Sequence, residues 1–368
     1  MTPEAPTLRV PKHHFNALDL SRLIAAVAVL FWHYLHFTFP RGGTRAPPNY
    51  IDYEPLHAVF AAFYDRGYLA VEYFWTVSGF VFAHVYFANA GARQRFWIAR
   101  IARLWPLHLL TLVVVALLQV VFRNHDGVDL SYGPNDTWHF VLNVFFVHYW
   151  GVRNMMTFNG PSWSLSVEIL AYAAFWALLP LLRRRPLTIA LGMMFVAAVP
   201  AWLDPEWKVA TCLAHFFCGT AAYALLARTW QRPGLVLAGA LGLLALAALD
   251  WRYGLPYPQF PLWVVGLFGL VVWIDRIDLS DRFAFGKRLG DASYGTYLWH
   301  FPIQLVMILA LDALPGGRTL SQHWAVLAIY IAAAVGAGFA SHRWIERPAQ
   351  RAVFAIAARV APRKMAVA

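Results

Sequence analysis

Charged residues are scarce in this chain of 368 residues, since Asp, Glu, Lys and Arg together make up 13% of it. A soluble domain usually contains about 25% charged residues. Hydrophobic residues make up 60%, and they occur in blocks close to the length of a transmembrane helix. The scarcity of charge and the apolar blocks exclude an ordinary soluble domain and predict a polytopic membrane protein.

Cysteine is also scarce. The only two cysteines, Cys212 and Cys218, lie in one apolar segment, where helical geometry does not favour a disulfide bond. No Cys/His spacing fits a zinc site, and neither a P-loop, a GxGxxG fingerprint nor a GxSxG elbow is present. We therefore expect no metal cofactor.

The apolar blocks predict an all-α, polytopic membrane helical bundle of about ten transmembrane helices. A shorter apolar stretch, 138–150, is expected to be interfacial or re-entrant. The predicted spans are 18–39, 67–88, 101–122, 163–182, 187–203, 209–227, 233–249, 259–274, 293–312 and 323–342.

The formal net charge of +11 does not indicate nucleic-acid binding, because the basic residues lie in short connections between spans. Lys and Arg are enriched in cytoplasmic loops. Placing the N-terminus in the cytoplasm puts 21 of the 30 Lys and Arg inside and 8 outside. We therefore expect both termini to be cytoplasmic, with an N-terminal tail at 1–16, a membrane domain at 17–348 and a basic C-terminal tail at 349–368.

The first span carries Arg22 and His33, two side chains that are expensive in hydrocarbon. Their spacing of 11 residues places them on one helical face, roughly 16 Å apart along the axis. His33 could act as a general base, because imidazole titrates near neutral pH. The alternative is that His33 is an interfacial histidine and that the Arg22 side chain snorkels to the membrane surface. For His36 we favour the interfacial position.

Arg100 and Arg103 lie one turn apart at the start of the third span, just before Pro106. Two guanidinium groups on one helical face suit the binding of phosphate groups. The general enrichment of basic residues at the cytoplasmic surface explains the same pair more simply.

Two further segments place a carboxylate in the membrane. Glu72 lies in GYLAVEYFWTVSGF (67–80), and its carboxylate needs a partner or water within the membrane. Close helix packing explains Gly79 of the same segment as well as a functional role does. In NGPSWSLSVEILAY (159–172), Ser164 and Glu168 face the same way at a helix start. There a structural role in the helix N-terminus is an alternative for Glu168.

The segment SYGTYLWHFP, residues 293–302, carries a polar stripe of Ser293, Tyr297 and His300 at i, i+4 and i+7. A lone histidine on an apolar face is usually a packing residue. Because Tyr297 lies on the same face, a functional role for His300 and a packing role explain the pattern equally well.

These segments, in this order, resemble the acyltransferase 3 family of integral membrane acyltransferases. Trp75, followed by Thr76, stands where the second aromatic residue of the second motif is usually Phe. The sequence resembles the stand-alone type without an SGNH hydrolase-like domain. The motifs that carry the resemblance are Arg22 with His33, Glu72 through Phe80, Arg100 with Arg103 and Pro106, Ser162 through Glu168, Tyr297 through His300, and Ile345 through Pro348.

The resemblance implies transfer of an acyl group, usually acetyl from acetyl-CoA, to a hydroxyl of a surface or exported polysaccharide, a lipid-linked glycan or a glycosylated metabolite. It implies a bacterial inner-membrane enzyme whose partners are acyl-CoA, a glycan or other hydroxyl acceptor, the lipid bilayer and glycan-assembly enzymes.

The resemblance also gives the candidate residues roles. The phosphates of CoA would bind Arg100 and Arg103, with Arg22 as a further candidate, and His33 would be the base in a direct or a ping-pong route. The remaining candidates are Glu72 or Glu168 to orient the imidazole, Tyr297 or Ser164 to stabilise the oxyanion, His300 as a further catalytic residue, and Trp163 with Ser164 at the substrate.

Two alternatives stay open at this point. A secondary transporter also uses intramembrane Arg, His and Glu, although no repeat pair is visible. A non-catalytic membrane subunit that presents glycans to a partner is the other.

Overall fold

The computed structural model describes residues 14–40, 46–89, 91–151, 155–253, 262–277 and 285–360. These residues form thirteen α-helices and no strand, which confirms the predicted all-α fold of a polytopic membrane protein. The helices are α1 (Asn16–His33), α2 (His57–Arg66), α3 (Leu69–Phe87), α4 (Phe96–Asp126), α5 (Thr137–Val144), α6 (Trp163–Arg184), α7 (Pro186–Leu203), α8 (Lys208–Thr229), α9 (Pro233–Tyr253), α10 (Leu262–Arg276), α11 (Gly286–Asp312), α12 (Trp324–Ser341) and α13 (Arg347–Val360).

Each of the ten predicted spans overlaps one helix among the described residues. Among the described residues, seven helical stretches are long and apolar enough to cross a membrane. The span predicted at 259–274 begins outside the described residues, and its helix α10 has 15 described residues. The segment 138–150 overlaps the short helix α5, and its interfacial or re-entrant position stays a prediction. Helices α2 and α13 are not predicted by the span pattern.

The chain divides into two compact units. Unit 1 comprises Met1–Arg22, Leu69–Phe96 and Val167–Gly290, and unit 2 comprises Leu23–Tyr68, Trp97–Ser166 and Asp291–Ala368. Helices α1, α4, α6 and α11 have residues in both units.

In unit 1, α3 and α8 are in backbone contact through two glycines. A Cβ atom on Gly79 would lie 1.7 Å from the carbonyl oxygen of Phe216, and one on Gly219 would lie 1.8 Å from that of Thr76. No side chain fits at such distances, so both positions require glycine. Small residues commonly allow this approach between membrane helices, and packing therefore accounts for Gly79.

A buried carboxylate of unit 1 caps the start of α1. The two carboxylate oxygens of Asp275 accept hydrogen bonds from the backbone N–H groups of Ala17 and Leu18, at 2.8 and 2.9 Å. The first N–H groups of a helix have no intrahelical acceptor, and the helix dipole favours a negative charge there. Asp275 thus fixes the N-terminal end of the helix that carries Arg22 and His33.

In unit 2, an apolar core surrounds the second half of α1. Leu30 and Phe31 of α1 are buried with Phe301 and Leu305 of α11 and Tyr330 of α12. This packing fixes the faces of α1 and α11 that carry His33 and His300.

We predict that Asp275→Ala lowers the free energy of unfolding by about 1–3 kcal/mol, because two buried N–H groups lose their acceptor. Thermal unfolding in detergent measures the change. Glu206→Gln is the matched control, since it removes a negative charge from a side chain that is 84% exposed. A midpoint that is unchanged by Asp275→Ala would contradict the capping role.

Candidate active site

Three histidine rings of unit 2 form a stack. His33 is the last residue of α1, and the 3₁₀ turn Tyr34–Thr38 that follows places His36 over it, with ring centroids 5.2 Å apart and planes inclined by 22°. His300 of α11 also stacks on His33, at 5.0 Å and 29°. His36 and His300 are buried, whereas His33 is partly exposed. The central imidazole is thus the accessible member of the stack.

The backbone sets the tautomers of two of these rings. The Nδ1 atom of His33 lies 3.1 Å from the carbonyl oxygen of Val29, and that of His300 lies 2.5 Å from the carbonyl oxygen of Tyr297. A carbonyl oxygen only accepts hydrogen bonds, so each neutral ring carries its proton on Nδ1 and a lone pair on Nε2. A lone pair on an accessible Nε2 is what a general base requires.

Gln304, one turn beyond His300 on α11, holds the other two members of the stack. Its side-chain N–H donates to the backbone carbonyl of His33 at 2.8 Å, and its Oε1 accepts from Nδ1 of His36 at 3.2 Å. The Tyr132 hydroxyl lies 3.1 Å from Nε2 of His36 and donates to it. This chain of hydrogen bonds makes His36 part of the site, a role that the sequence did not favour, and its position at the membrane interface stays a prediction.

Tyr297 and Ser164 meet beside the stack. The Tyr297 hydroxyl donates to the carbonyl oxygen of Pro161 at 2.7 Å and lies 2.7 Å from the Ser164 hydroxyl. The amide of Asn159 donates to the backbone carbonyl of Leu298 at 3.0 Å. These bonds tie the segment before α6 to α11. Because the Tyr297 proton is engaged with Pro161, a role in stabilising an oxyanion stays a prediction.

The segment before α6 also folds back on the first turn of that helix. Trp163, the first residue of α6, packs on Tyr149 with ring centroids 5.3 Å apart. The indole N–H of Trp150 donates to the carbonyl oxygen of Ser166 at 2.7 Å. Trp163 is thus placed by the segment before α6, and its role at a substrate stays a prediction.

Arg103 of α4 forms an ion pair with Glu346, whose side chain is 1% exposed. The Arg103 guanidinium also lies over the ring of Tyr294, 5.2 Å from its centroid. Glu346 ends a π-helical turn that begins at His342 and lies 3.6 Å from that ring. Arg100, one turn earlier on α4, is partly buried. The sequence placed Arg103 and Glu346 in separate motifs, and the structure joins them.

Arg22 belongs to unit 1, where it pairs with Asp19 at 3.3 Å. Asp19 also lies 3.1 Å from Nε2 of His14. The unbroken helix α1 carries Arg22 and His33 as expected from their spacing, and the role of Arg22 in binding a phosphate stays a prediction.

Glu72 and Glu168 also belong to unit 1. Glu72 lies 3.8 Å from Nε2 of His215, a ring whose Nδ1 donates to the carbonyl oxygen of Thr211 at 2.9 Å. Glu168 is 6% exposed. The structure gives Glu72 a histidine neighbour that the sequence did not indicate, and the roles proposed for both carboxylates toward His33 stay predictions.

Within the part of the chain that the structure describes, no group of three or more His, Cys, Asp or Glu side chains could hold a metal ion. The three stacked histidines, His33, His36 and His300, are therefore not a metal site by this criterion.

A family model for the acyltransferase domain, of the acyltransferase 3 type, matches residues 15–343. The chain belongs to the acyltransferase 3 family. The match covers all the candidate residues above except Glu346, which lies three residues beyond its end.

Several curated proteins resemble this acyltransferase. It is 24% identical to the peptidoglycan O-acetyltransferase OatA of Listeria monocytogenes, over 94% of this chain and 57% of that protein. It is 26% identical to the acyltransferase MdmB of Streptomyces mycarofaciens, over 77% of this chain and 81% of that protein. Nodulation protein 10 of Rhizobium leguminosarum is 24% identical over 80% of this chain and 84% of its own length.

The acyltransferase spans just over half the length of the Listeria protein. No solved structure matches it.

Two members of the site, Gln304 and Tyr132, escaped the sequence analysis. Gln304 extends the polar stripe of Ser293, Tyr297 and His300 by one more turn, so periodicity carried on past Pro302 would have included it. Tyr132 lies in a loop, where no periodic pattern indicates which side chains point inward.

We predict that Gln304→Leu lowers kcat of acyl transfer by about 10- to 100-fold, because a small misplacement of the reacting groups costs this much. The variant leaves the His33 carbonyl and His36 Nδ1 without their partner. Gln304→Glu separates the two bonds, since a carboxylate still accepts from His36 but cannot donate to His33.

Gln322→Leu is the control, because Gln322 is exposed. Steady-state kinetics with the acyl donor varied give kcat and KM separately. Wild-type kcat for Gln304→Leu would show that the His33 backbone needs no such support.

Proposed function

We propose that this protein is an O-acyltransferase that moves an acyl group, acetyl in the simplest case, from acyl-CoA to a hydroxyl group of a glycan. The observation that carries the proposal is the stacked histidine cluster, in which the central ring is the accessible one and presents Nε2 as a lone pair. Membership of the acyltransferase 3 family supplies the reaction class.

His33 acts as the general base in this proposal. Its Nε2 takes the proton of the acceptor hydroxyl as that oxygen attacks the thioester carbonyl. The carbon–sulfur bond then breaks, and the proton passes from His33 to the departing sulfur, so that the ester and the free thiol form with no net change in protons. A positioned base of this kind contributes typically about 10²- to 10⁴-fold to the rate.

The stack supports this role electrostatically and geometrically. The hydrogen bond from Nδ1 to the carbonyl oxygen of Val29 holds the ring in place and stabilises the imidazolium that forms when Nε2 takes up a proton. His36 and His300, on either side, hold the plane of the ring. The same lone pair could attack the thioester itself, so the ping-pong route stays an alternative to direct transfer.

Arg100 and Arg103 are the proposed binding groups for the phosphates of CoA, because guanidinium groups bind phosphate in bidentate fashion. The ion pair with Glu346 uses one amino group of Arg103. It leaves the other guanidinium N–H groups to bind a phosphate and fixes the direction in which they point.

A glycan acceptor is proposed from the relatives, since one is named for O-acetylation of peptidoglycan. Location in a bacterial inner membrane, with the donor bound from the cytoplasm and glycan-assembly enzymes as partners, completes the proposal. The transporter alternative loses its support because the chain belongs to an acyltransferase family.

We predict that His33→Ala lowers kcat by about 10²- to 10⁴-fold, because the transition state loses its base. Release of the CoA thiol and mass spectrometry of the acceptor measure the activity of purified protein. His125→Ala is the control, since the His125 side chain is 55% exposed and is far in sequence from the three stacked histidines. Wild-type activity in His33→Ala would discard His33 as the base.

We predict that Arg100→Ala raises KM for acyl-CoA with little change in kcat, because a bound phosphate loses a charged partner. Arg103→Ala alone would also leave Glu346 buried without its cation, which destabilises the fold. The double variant Arg103→Ala with Glu346→Gln removes both charges, so a raised KM in a stably folded double variant reports binding. A normal KM in both variants would move the donor site elsewhere.

A further inference from the structure

The helix α13 lies outside the candidate site and directly follows a membrane-spanning helix. α12, the π-helical turn His342–Glu346 and α13 form one continuous helical stretch, Trp324–Arg359, of 36 residues. The hydrocarbon core of a bilayer, about 30 Å thick, accommodates about 20 helical residues. Because α12 alone has 18 residues, α13 starts at the membrane surface.

The sequence of α13 has one basic side and one apolar side. Arg347 and Arg351 are four residues apart and share a face, whereas Ala349, Val353 and Ile356 share the opposite face at i, i+4 and i+7. The helix contains no Asp or Glu. A short, basic, amphipathic helix is typical of a segment that lies in the plane of a membrane interface.

Most of α13 is exposed. The side chain of Ile356 is 61% exposed, and Trp344, in the turn just before the helix, is 69% exposed. Phe354 is 41% exposed and lies on the basic side. A surface that covered the apolar face of α13 would remove Ile356 from water, which is favourable.

We propose that α13 lies in the headgroup region of the bilayer and binds anionic lipids. The connection to α12 already holds it at that surface, so no encounter with a second molecule is required. Trp344 lies where α12 leaves the hydrocarbon, a depth that tryptophan favours. The arginines of α13 complement the phosphate groups of anionic lipids, which attract basic segments next to a membrane helix.

Spin labels on two faces of α13 in the full-length protein test the proposal. Ile356→Cys lies on the apolar face and Ala358→Cys lies about 200° away on the basic side, and both positions are exposed. The native Cys212 and Cys218 are buried and leave the new cysteine as the reactive one. Collision rates with oxygen, which concentrates in lipid, and with a water-soluble nickel complex are measured in vesicles of phosphatidylcholine with and without phosphatidylglycerol.

We expect the ratio of the oxygen rate to the nickel rate to be several-fold higher at position 356 than at position 358 when phosphatidylglycerol is present. The difference should fall when Arg351→Gln and Arg359→Gln remove two positive charges, and Arg351→Lys should preserve it. Equal ratios at both positions in both lipids would show that α13 projects into water. Low rates of both reagents at position 356 would show that protein covers the face, and either result overturns the proposal.

Discussion

The hydrogen bond from Nδ1 of His33 to the carbonyl oxygen of Val29 determines what the candidate site can do. In water an imidazole exchanges freely between tautomers, but a carbonyl acceptor at 3.1 Å keeps the proton on Nδ1. Nε2 is then the basic atom. The bond lies within one helix and needs no other element, so the direction of the base depends on where α1 is placed.

The surrounding structure holds α1 at both ends by polar groups that membrane burial makes expensive to leave unpaired. Asp275 binds two N–H groups at the start of the helix. Gln304 binds the carbonyl of His33 at its end, and the same side chain orients His36. Between these points the helix is held by apolar packing, which does not depend on the direction of any hydrogen bond.

Much of the fold follows from the sequence because the bilayer imposes a length on each apolar segment. Each predicted span corresponds to a helix, and the catalytic candidates His33 and His300, which lie 267 positions apart, meet in one stack. The sequence did not predict contacts in which a residue's partner lies on another element, at a position that no periodic pattern indicates. The sequence did not favour a role for His36 in the site because Tyr132 and Gln304, which bind it, cannot be placed beside it from local pattern. The ion pair of Arg103 with Glu346 was not predicted for the same reason.

Nitrogen NMR of protein labelled with ¹⁵N in its histidine rings reports the protonation of each ring nitrogen, and the His33 signals are assigned by their loss in His33→Ala. We expect a neutral His33 ring with the proton on Nδ1 and an unprotonated Nε2, whose signal shifts when acyl-CoA and acceptor are added. A ring protonated on Nε2, with signals unaffected by either substrate, would contradict it.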